Sequence, residues 1–178
     1  LLLAINHQSL IATKASRIVR SALGRPVLEF GSRRAQGTAA AILGSRSAYI
    51  AGVTGTACTI AEEQYGVPAL GTMAHSWVQM FDTEYEAFET YCKQYPTNAT
   101  LLVDTFNVLK SGVPNAIRVF KKMEELGLST NNIGIRIDSG NLVYLSKEAR
   151  RMFDDAGFSQ AKICLSNGLN AQSINDLI

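Results

Sequence analysis

Thr100-Leu101-Leu102-Val103-Asp104 is the run on which the fold of this chain turns, because of what comes after it. An amphipathic stretch from Asn115 to Leu126 follows and stops at Gly127, and a second apolar run, Ile133-Gly134-Ile135-Arg136-Ile137-Asp138, comes next. Each apolar run is strand-length, and the stretch between them is long enough for a helix. A strand, a helix and a second strand in that order form a βαβ unit, whose right-handed crossover returns the second strand parallel to the first. The apolar runs do not alternate with polar residues, so the sheet is expected to be buried on both faces.

The same alternation extends in both directions. Strand candidates are Val27 to Phe30, Ala48 to Ala51, Val67 to Leu70, Thr100 to Asp104, Ile133 to Asp138 and Lys162 to Leu165. Between them the spacing predicts helices over Ala35 to Arg46, Ala57 to Tyr65, His75 to Tyr95 with a break near Asp82, Asn115 to Leu126, and Ser146 to Ala156. Gly66, Gly127 and Gly157 stand where helices end. Upstream, Leu10, Ile11, Ala15, Ile18, Val19 and Ala22 recur at helical spacing from Asn6 to Leu23, ahead of Gly24 and Pro26. Repeated βα units without a strand-order reversal fit a doubly wound sheet or most of an eight-stranded barrel. The expected fold is α/β, an incomplete TIM-like barrel of parallel strands, with residues 1–178 forming one domain.

Composition narrows the class of function. With 47% hydrophobic and 18% charged residues in 178, the chain reads as an ordinary soluble globular protein. A net charge of +2 and no run of five like charges argue against nucleic acid as a partner. The opening Leu1 to Ile5 is too short for a membrane span. Cys58, Cys92 and Cys164 are far apart and odd in number, which points away from a disulfide framework and toward a reducing, cytoplasmic setting. Opening on Leu1-Leu2-Leu3 and closing on Asn175-Asp176-Leu177-Ile178, the chain is expected to be part of a longer one.

In either α/β architecture the loops past the strands' C-terminal ends share one face, where ligands bind. That face would gather Phe30-Gly31-Ser32-Arg33-Arg34, Gly52-Val53-Thr54-Gly55-Thr56, Gly71-Thr72-Met73-Ala74-His75, Asp104-Thr105-Phe106-Asn107, Arg136 with Asp138-Ser139-Gly140-Asn141, and Ser166-Asn167-Gly168. Arginine forks and backbone N–H groups at glycine turns bind phosphate or carboxylate oxygens. Asp104 and Asp138 suit ribose hydroxyls or a magnesium ion chelated by a substrate's phosphates, and equally suit helix caps. Phe30 fits a stacking ring or the core. Arg136, inside an apolar run, needs an anion if it is buried. His75 can serve as nucleophile, base or phosphoryl acceptor, or as a hydrogen-bonded structural group. No Walker pattern, dinucleotide fingerprint, metal-cage spacing or EF-hand series is present.

These segments resemble the nicotinate phosphoribosyltransferases, of the type II phosphoribosyltransferases. The resemblance runs in order through Ile11-Ala12-Thr13-Lys14-Ala15, Leu28 to Gln36, Gly71 to His75, Val103 to Asn107, Ser111 to Ile117, Gly134 to Gly140 and Leu165-Ser166-Asn167. It implies a reaction of nicotinate with 5-phosphoribosyl-1-pyrophosphate that yields nicotinate mononucleotide and pyrophosphate in NAD biosynthesis, coupled to ATP hydrolysis, with Mg2+ accompanying the phosphates. His75 would be the histidine that becomes phosphorylated, and Asp104 and Asp138 would be catalytic residues that hold the ribose, the pyrophosphate-bound magnesium and the reacting geometry. Phe30 would stack on the pyridine, and Arg33 and Arg136 would bind anions. Thr54, Ser139, Gly140 and Asn167 complete the implied substrate contacts, and a homodimer with shared active sites is implied as well. Thr54 is read as standing where nicotinamide phosphoribosyltransferase carries an aspartate, which favours the acid substrate. That relative's activity and a catalytically inactive structural fragment are the alternatives. Asn167-Gly168-Leu169-Asn170 departs from the family's expected Asn-Asp-Leu-Asp.

Overall fold

The structure is a computed structural model describing residues 2–178. The chain forms two compact units. One runs through Gly71 and includes Leu169–Ile178; the other is Thr72–Gly168.

In the first unit, α1 (Leu2–Ser21) packs on α2 (Thr38–Ile50) and on α8 (Ala171–Leu177). Ala15, Ala48 and Val53 form the small core that α1 and α2 share. Strands β1 (Leu28–Glu29) and β2 (Gly55–Thr56) pair in parallel, Leu28 opposite Gly55 and Glu29 opposite Thr56. A single parallel bridge joins Thr56 to Ala69, so the candidate strand Val67 to Leu70 contracts to one residue. Helix α3 (Thr59–Tyr65) ends at Gly66, whose φ of 66° is the left-handed conformation glycine adopts without a Cβ penalty.

One expectation is overturned here: Ala48 to Ala51 is not a strand, because Ala48 to Ile50 are the last residues of α2. Four apolar residues carry too little periodicity to separate a buried strand from the end of a helix. The Ser45 and Ser47 hydroxyls donate to the Ala41 and Leu43 carbonyls one turn back, at 2.9 and 2.7 Å, so these serines are satisfied inside the helix. The strand lies five residues beyond α2. As a result Thr54 precedes β2; its N–H donates to the Val27 carbonyl at 2.8 Å, at the N-terminal end of the strand pair.

The second unit holds a three-stranded parallel sheet in the order β3 (Thr100–Leu102), β4 (Gly134–Ile137), β5 (Lys162–Leu165). Leu102, Arg136 and Cys164 stand level with one another. Helix α6 (Val113–Glu125) buries Val113, Ala116, Val119, Phe120 and Met123, one stripe at helical spacing. Together with α5 (Glu84–Gln94) and α7 (Leu142–Asp155) it encloses a core in which Phe88, Phe120, Phe153, Phe158, Leu101 and Ile135 are almost wholly buried. Side chains of this kind contribute about 1.5–3 kcal/mol each on leaving water.

The expected break near Asp82 is present. Helix α4 (His75–Val78) ends early, and Thr83 starts α5 with a capping box in which Glu86 N–H donates to Thr83 Oγ1 and Thr83 N–H donates to Glu86 Oε2, both at 3.2 Å. A π-helical turn, Val108–Gly112, leads into α6. A Cβ on Gly112 would fall 1.9 Å from the Val103 carbonyl oxygen, so only glycine lets this turn lie against the end of β3. Helix α8 was not anticipated, although its signal was in the sequence: Asn170 Oδ1 accepts the Ser173 N–H, and Ser173 Oγ accepts the Asn170 N–H, both at 2.9 Å.

Candidate active site

Because β3, β4 and β5 are parallel and in register, the residues just beyond them lie on one edge of the sheet, and His75 at the start of α4 joins them. Its Nδ1 is 3.2 Å from Thr105 Oγ1. Nε2 lies 3.6 Å from Asp138 Oδ2 and 4.0 Å from Asp104 Oδ1, and the ring is 41% exposed. An exposed imidazole beside two carboxylates is open to an incoming group.

The carboxylates are held from behind. Arg136 is buried at the centre of β4, and its guanidinium donates from Nε to Ser166 Oγ at 2.8 Å, from Nη1 to Thr72 Oγ1 at 3.1 Å and from Nη2 to Asp138 Oδ1 at 2.8 Å. The anion that a buried arginine requires is supplied within the chain by Asp138. Ser166 donates to the same Asp138 oxygen. Burial is the largest single influence on the Asp138 carboxyl and disfavours its charge. The hydrogen bonds from Ser166 and Arg136, with the charges of Arg136 and His75, outweigh it and hold the pKa below the ordinary carboxylate value.

The Asp104 side chain is 1% exposed. Its Oδ2 accepts the Asp138 N–H at 3.1 Å and the Ser139 hydroxyl at 2.6 Å, whereas Oδ1 has no hydrogen-bond partner among the described residues. Asp104 therefore ties the loop after β3 to the loop after β4 and keeps one oxygen uncommitted. A cavity of about 350 Å3 opens beside it, lined by Phe106, Asn107, Ser139, Gly140 and Leu145 among others. Asn107 is a cap here, its Oδ1 accepting the Lys110 N–H at 2.8 Å. Among the described residues no cluster of three His, Cys, Asp or Glu is arranged to hold a metal ion.

The ends of α5 and α6 are joined by a second buried carboxylate. Glu84 Oε2 accepts from the Ser111 hydroxyl and from Asn115 Nδ2, the latter at 3.1 Å. This contact secures the π-helical turn that follows the Asp104 loop. Sequence reasoning did not single out Glu84, because a glutamate in the first turn of a helix usually marks a solvated N-terminus.

The structure thus brings His75, Asp104, Asp138, Arg136 and Ser139 together, with Gly140 lining the adjoining cavity. Thr72, Thr105 and Ser166 lay in the expected loops but had no role assigned to them; as neutral hydroxyls they carry no sequence signal beyond position. Asn167 is exposed just past β5, with φ at 85°, a conformation asparagine tolerates better than most residues.

Phe30, Arg33 and Thr54 belong to the first unit. Phe30 and the 3-10 turn Ser32–Arg34 follow β1, and Arg33 Nη1 donates to the Phe30 carbonyl at 3.1 Å. Phe30 and Arg33 are thus at the C-terminal end of that strand pair, as expected, and Thr54 is at the other end. Ala57 and Cys58 occupy the place past β2 that had been expected for Thr54.

The model of the nicotinate phosphoribosyltransferase (NAPRTase) family matches residues 26–178. The chain is 47% identical over 178 residues to nicotinate phosphoribosyltransferase of Bacillus subtilis (strain 168), covering 99% of this chain and 35% of that protein. It is 46% identical over 174 residues to nicotinate phosphoribosyltransferase pncB2 of Mycobacterium tuberculosis (strain ATCC 25618 / H37Rv), covering 98% and 36%. Among solved structures, human nicotinic acid phosphoribosyltransferase superposes with a TM-score of 0.86 at 27% identity, over 96% of this chain and 45% of that one. Nicotinate-nucleotide pyrophosphorylase from Pyrococcus furiosus gives 0.79 at 28% identity, over 96% and 43%. The chain spans about a third of the length of the curated relatives it matches. The extent of these matches and the shared fold establish that this chain belongs to the nicotinate phosphoribosyltransferase family.

Proposed function

We propose that this chain carries part of the active site of a nicotinate phosphoribosyltransferase. The pyridine nitrogen of nicotinate bonds to the anomeric carbon of 5-phosphoribosyl-1-pyrophosphate as the bond to pyrophosphate breaks, giving nicotinate mononucleotide. ATP hydrolysis is coupled to this transfer through His75.

The observation that carries the reading is the setting of His75. With the imidazole proton on Nδ1 and donated to Thr105, the Nε2 lone pair is free to attack the terminal phosphorus of ATP. An N–P bond forms, the P–O bond to ADP breaks, and water later releases phosphate from the histidine. Asp104 and Asp138 set the charge around that nitrogen. Magnesium enters on the phosphates as part of the substrate. During glycosyl transfer positive charge grows on the sugar while pyrophosphate leaves. Carboxylates fixed by Arg136, Ser139 and Ser166 stabilise that charge without reorganising.

Phe30 and Arg33 are assigned to the base, the ring stacking on pyridine and the guanidinium facing its carboxylate. The choice of nicotinate over nicotinamide is supported by the names of the relatives; the position of Thr54 ahead of β2 lends it no geometric support. A homodimer with shared sites belongs to the same proposal.

The test is a transfer assay on the full-length gene product with both bases, with and without ATP. We expect nicotinate to be preferred and ATP to stimulate the wild type. His75→Ala should retain weak transfer that ATP no longer stimulates. Preference for nicotinamide would overturn the substrate, and undiminished ATP stimulation in His75→Ala would overturn the role of the histidine.

A further inference from the structure

Glu29, at the end of β1, is a charged side chain in a strand of two residues, and it faces inward rather than to solvent. Its Oε2 accepts from the Thr56 hydroxyl at 2.6 Å and lies 2.9 Å from the Ser45 hydroxyl, whose one proton is shared with the Ala41 carbonyl; both residues are almost fully buried. Its Oε1 accepts the backbone N–H of Gly31. Thr56 Oγ1 in turn accepts the Cys58 N–H at 3.0 Å. One carboxylate therefore joins three places, the turn after β1, helix α2 and strand β2, and through Thr56 it reaches the loop after β2. The backbone N–H of Gly31 and the two hydroxyls converge on this one side chain.

We infer that Glu29 is a positioning residue for the base, acting through the turn that carries Phe30 and Arg33. Gly31 N–H follows Phe30 directly, and Gly31 opens the 3-10 turn Ser32–Arg34. Fixing that N–H fixes the peptide plane between the ring and the guanidinium, and the bond from Arg33 to the Phe30 carbonyl closes the turn from the other side. A strand pair only two residues long cannot hold this geometry by its ladder alone. The carboxylate is the cross-link that makes the turn rigid before a ligand arrives, and preorganisation of this kind appears in affinity for the group the turn contacts. The inference rests on the assignment of Phe30 and Arg33 to the base.

Glu29→Asp shortens the side chain by one methylene, so it cannot span from Gly31 to Ser45 and Thr56 at once. Glu29→Gln keeps the reach and an acceptor for Gly31, and the two hydroxyls can turn to accept from its amide. In the full-length gene product, Glu29→Asp is expected to raise KM for nicotinate about tenfold, a change of about 1.4 kcal/mol, with KM for phosphoribosyl pyrophosphate and kcat held within about twofold. Glu29→Gln should recover most of the loss. Amide hydrogen exchange at Gly31 should speed up in Glu29→Asp and stay slow in Glu29→Gln. Ser45→Ala removes one donor and should raise KM for nicotinate in the same direction; it decides the matter if Glu29→Asp fails to fold. An unchanged KM for nicotinate, or equal changes for both substrates, would overturn the positioning role and leave the activity standing. A wild-type enzyme that neither binds nor transfers nicotinate would overturn the assigned activity, and this inference with it.

Discussion

Asp138 is the residue on which charge, geometry and stability meet. Its lowered pKa means that the folded state favours the carboxylate more strongly than the unfolded chain does. The resulting stability is fully present above the unfolded carboxylate pKa, about 4, and is lost as pH falls through the lower folded value. Urea denaturation of wild type and Asp138→Asn across pH should show the variant less stable near neutrality, with the gap narrowing as the wild type is titrated below about pH 4. A gap independent of pH would mean that the charge contributes nothing. Arg136 was legible at this scale, since a cation inside Ile133-Gly134-Ile135-Arg136-Ile137 must find an anion. Its hydroxyl partners Thr72 and Ser166 were not, nor was Thr105 beside His75, because these are ordinary residues until the fold brings them together. Cys92 gives a separate check: burial pushes its thiol up to about 12, so in the folded protein it should resist alkylation at neutral pH and react only on unfolding.

At the scale of elements, the close approach of the π-helical turn to β3 makes the sharpest demand. Gly112→Ala would drive a methyl group into the Val103 carbonyl, and the turn cannot yield without releasing the Ser111 and Asn115 bonds to Glu84. A loss of about 3 kcal/mol or more in urea denaturation is expected, at the upper end for overpacking. A Gly112→Ala variant as stable as wild type would show that the turn is not constrained. The long amphipathic helices were legible because their stripes repeat over several turns, as in Val113, Ala116, Phe120 and Met123. The first unit was harder to read. Its strands are two residues long, so periodicity had nothing to act on, and the small-residue end of α2 passed for a strand. That one misplaced strand also put Thr54 past a strand end instead of ahead of one.

For the whole molecule, the reading of parallel strands with helical crossovers held because it rested on many repeated segments rather than on any one boundary. The α/β class and the parallel direction of every strand pair follow from it. The two units bring different chemistry: Thr72–Gly168 holds the histidine, both aspartates and the buried arginine, and the other unit holds Phe30 and Arg33. The central claim is that His75 accepts a phosphoryl group from ATP and through its hydrolysis couples ATP to the transfer reaction. The most direct measurement is to incubate the full-length gene product with magnesium and ATP labelled in the terminal phosphate, and then map the label. The account predicts an acid-labile, base-stable label on His75 that is absent from His75→Ala. ATP-stimulated transfer with no label on His75, or with label on another residue, would contradict it.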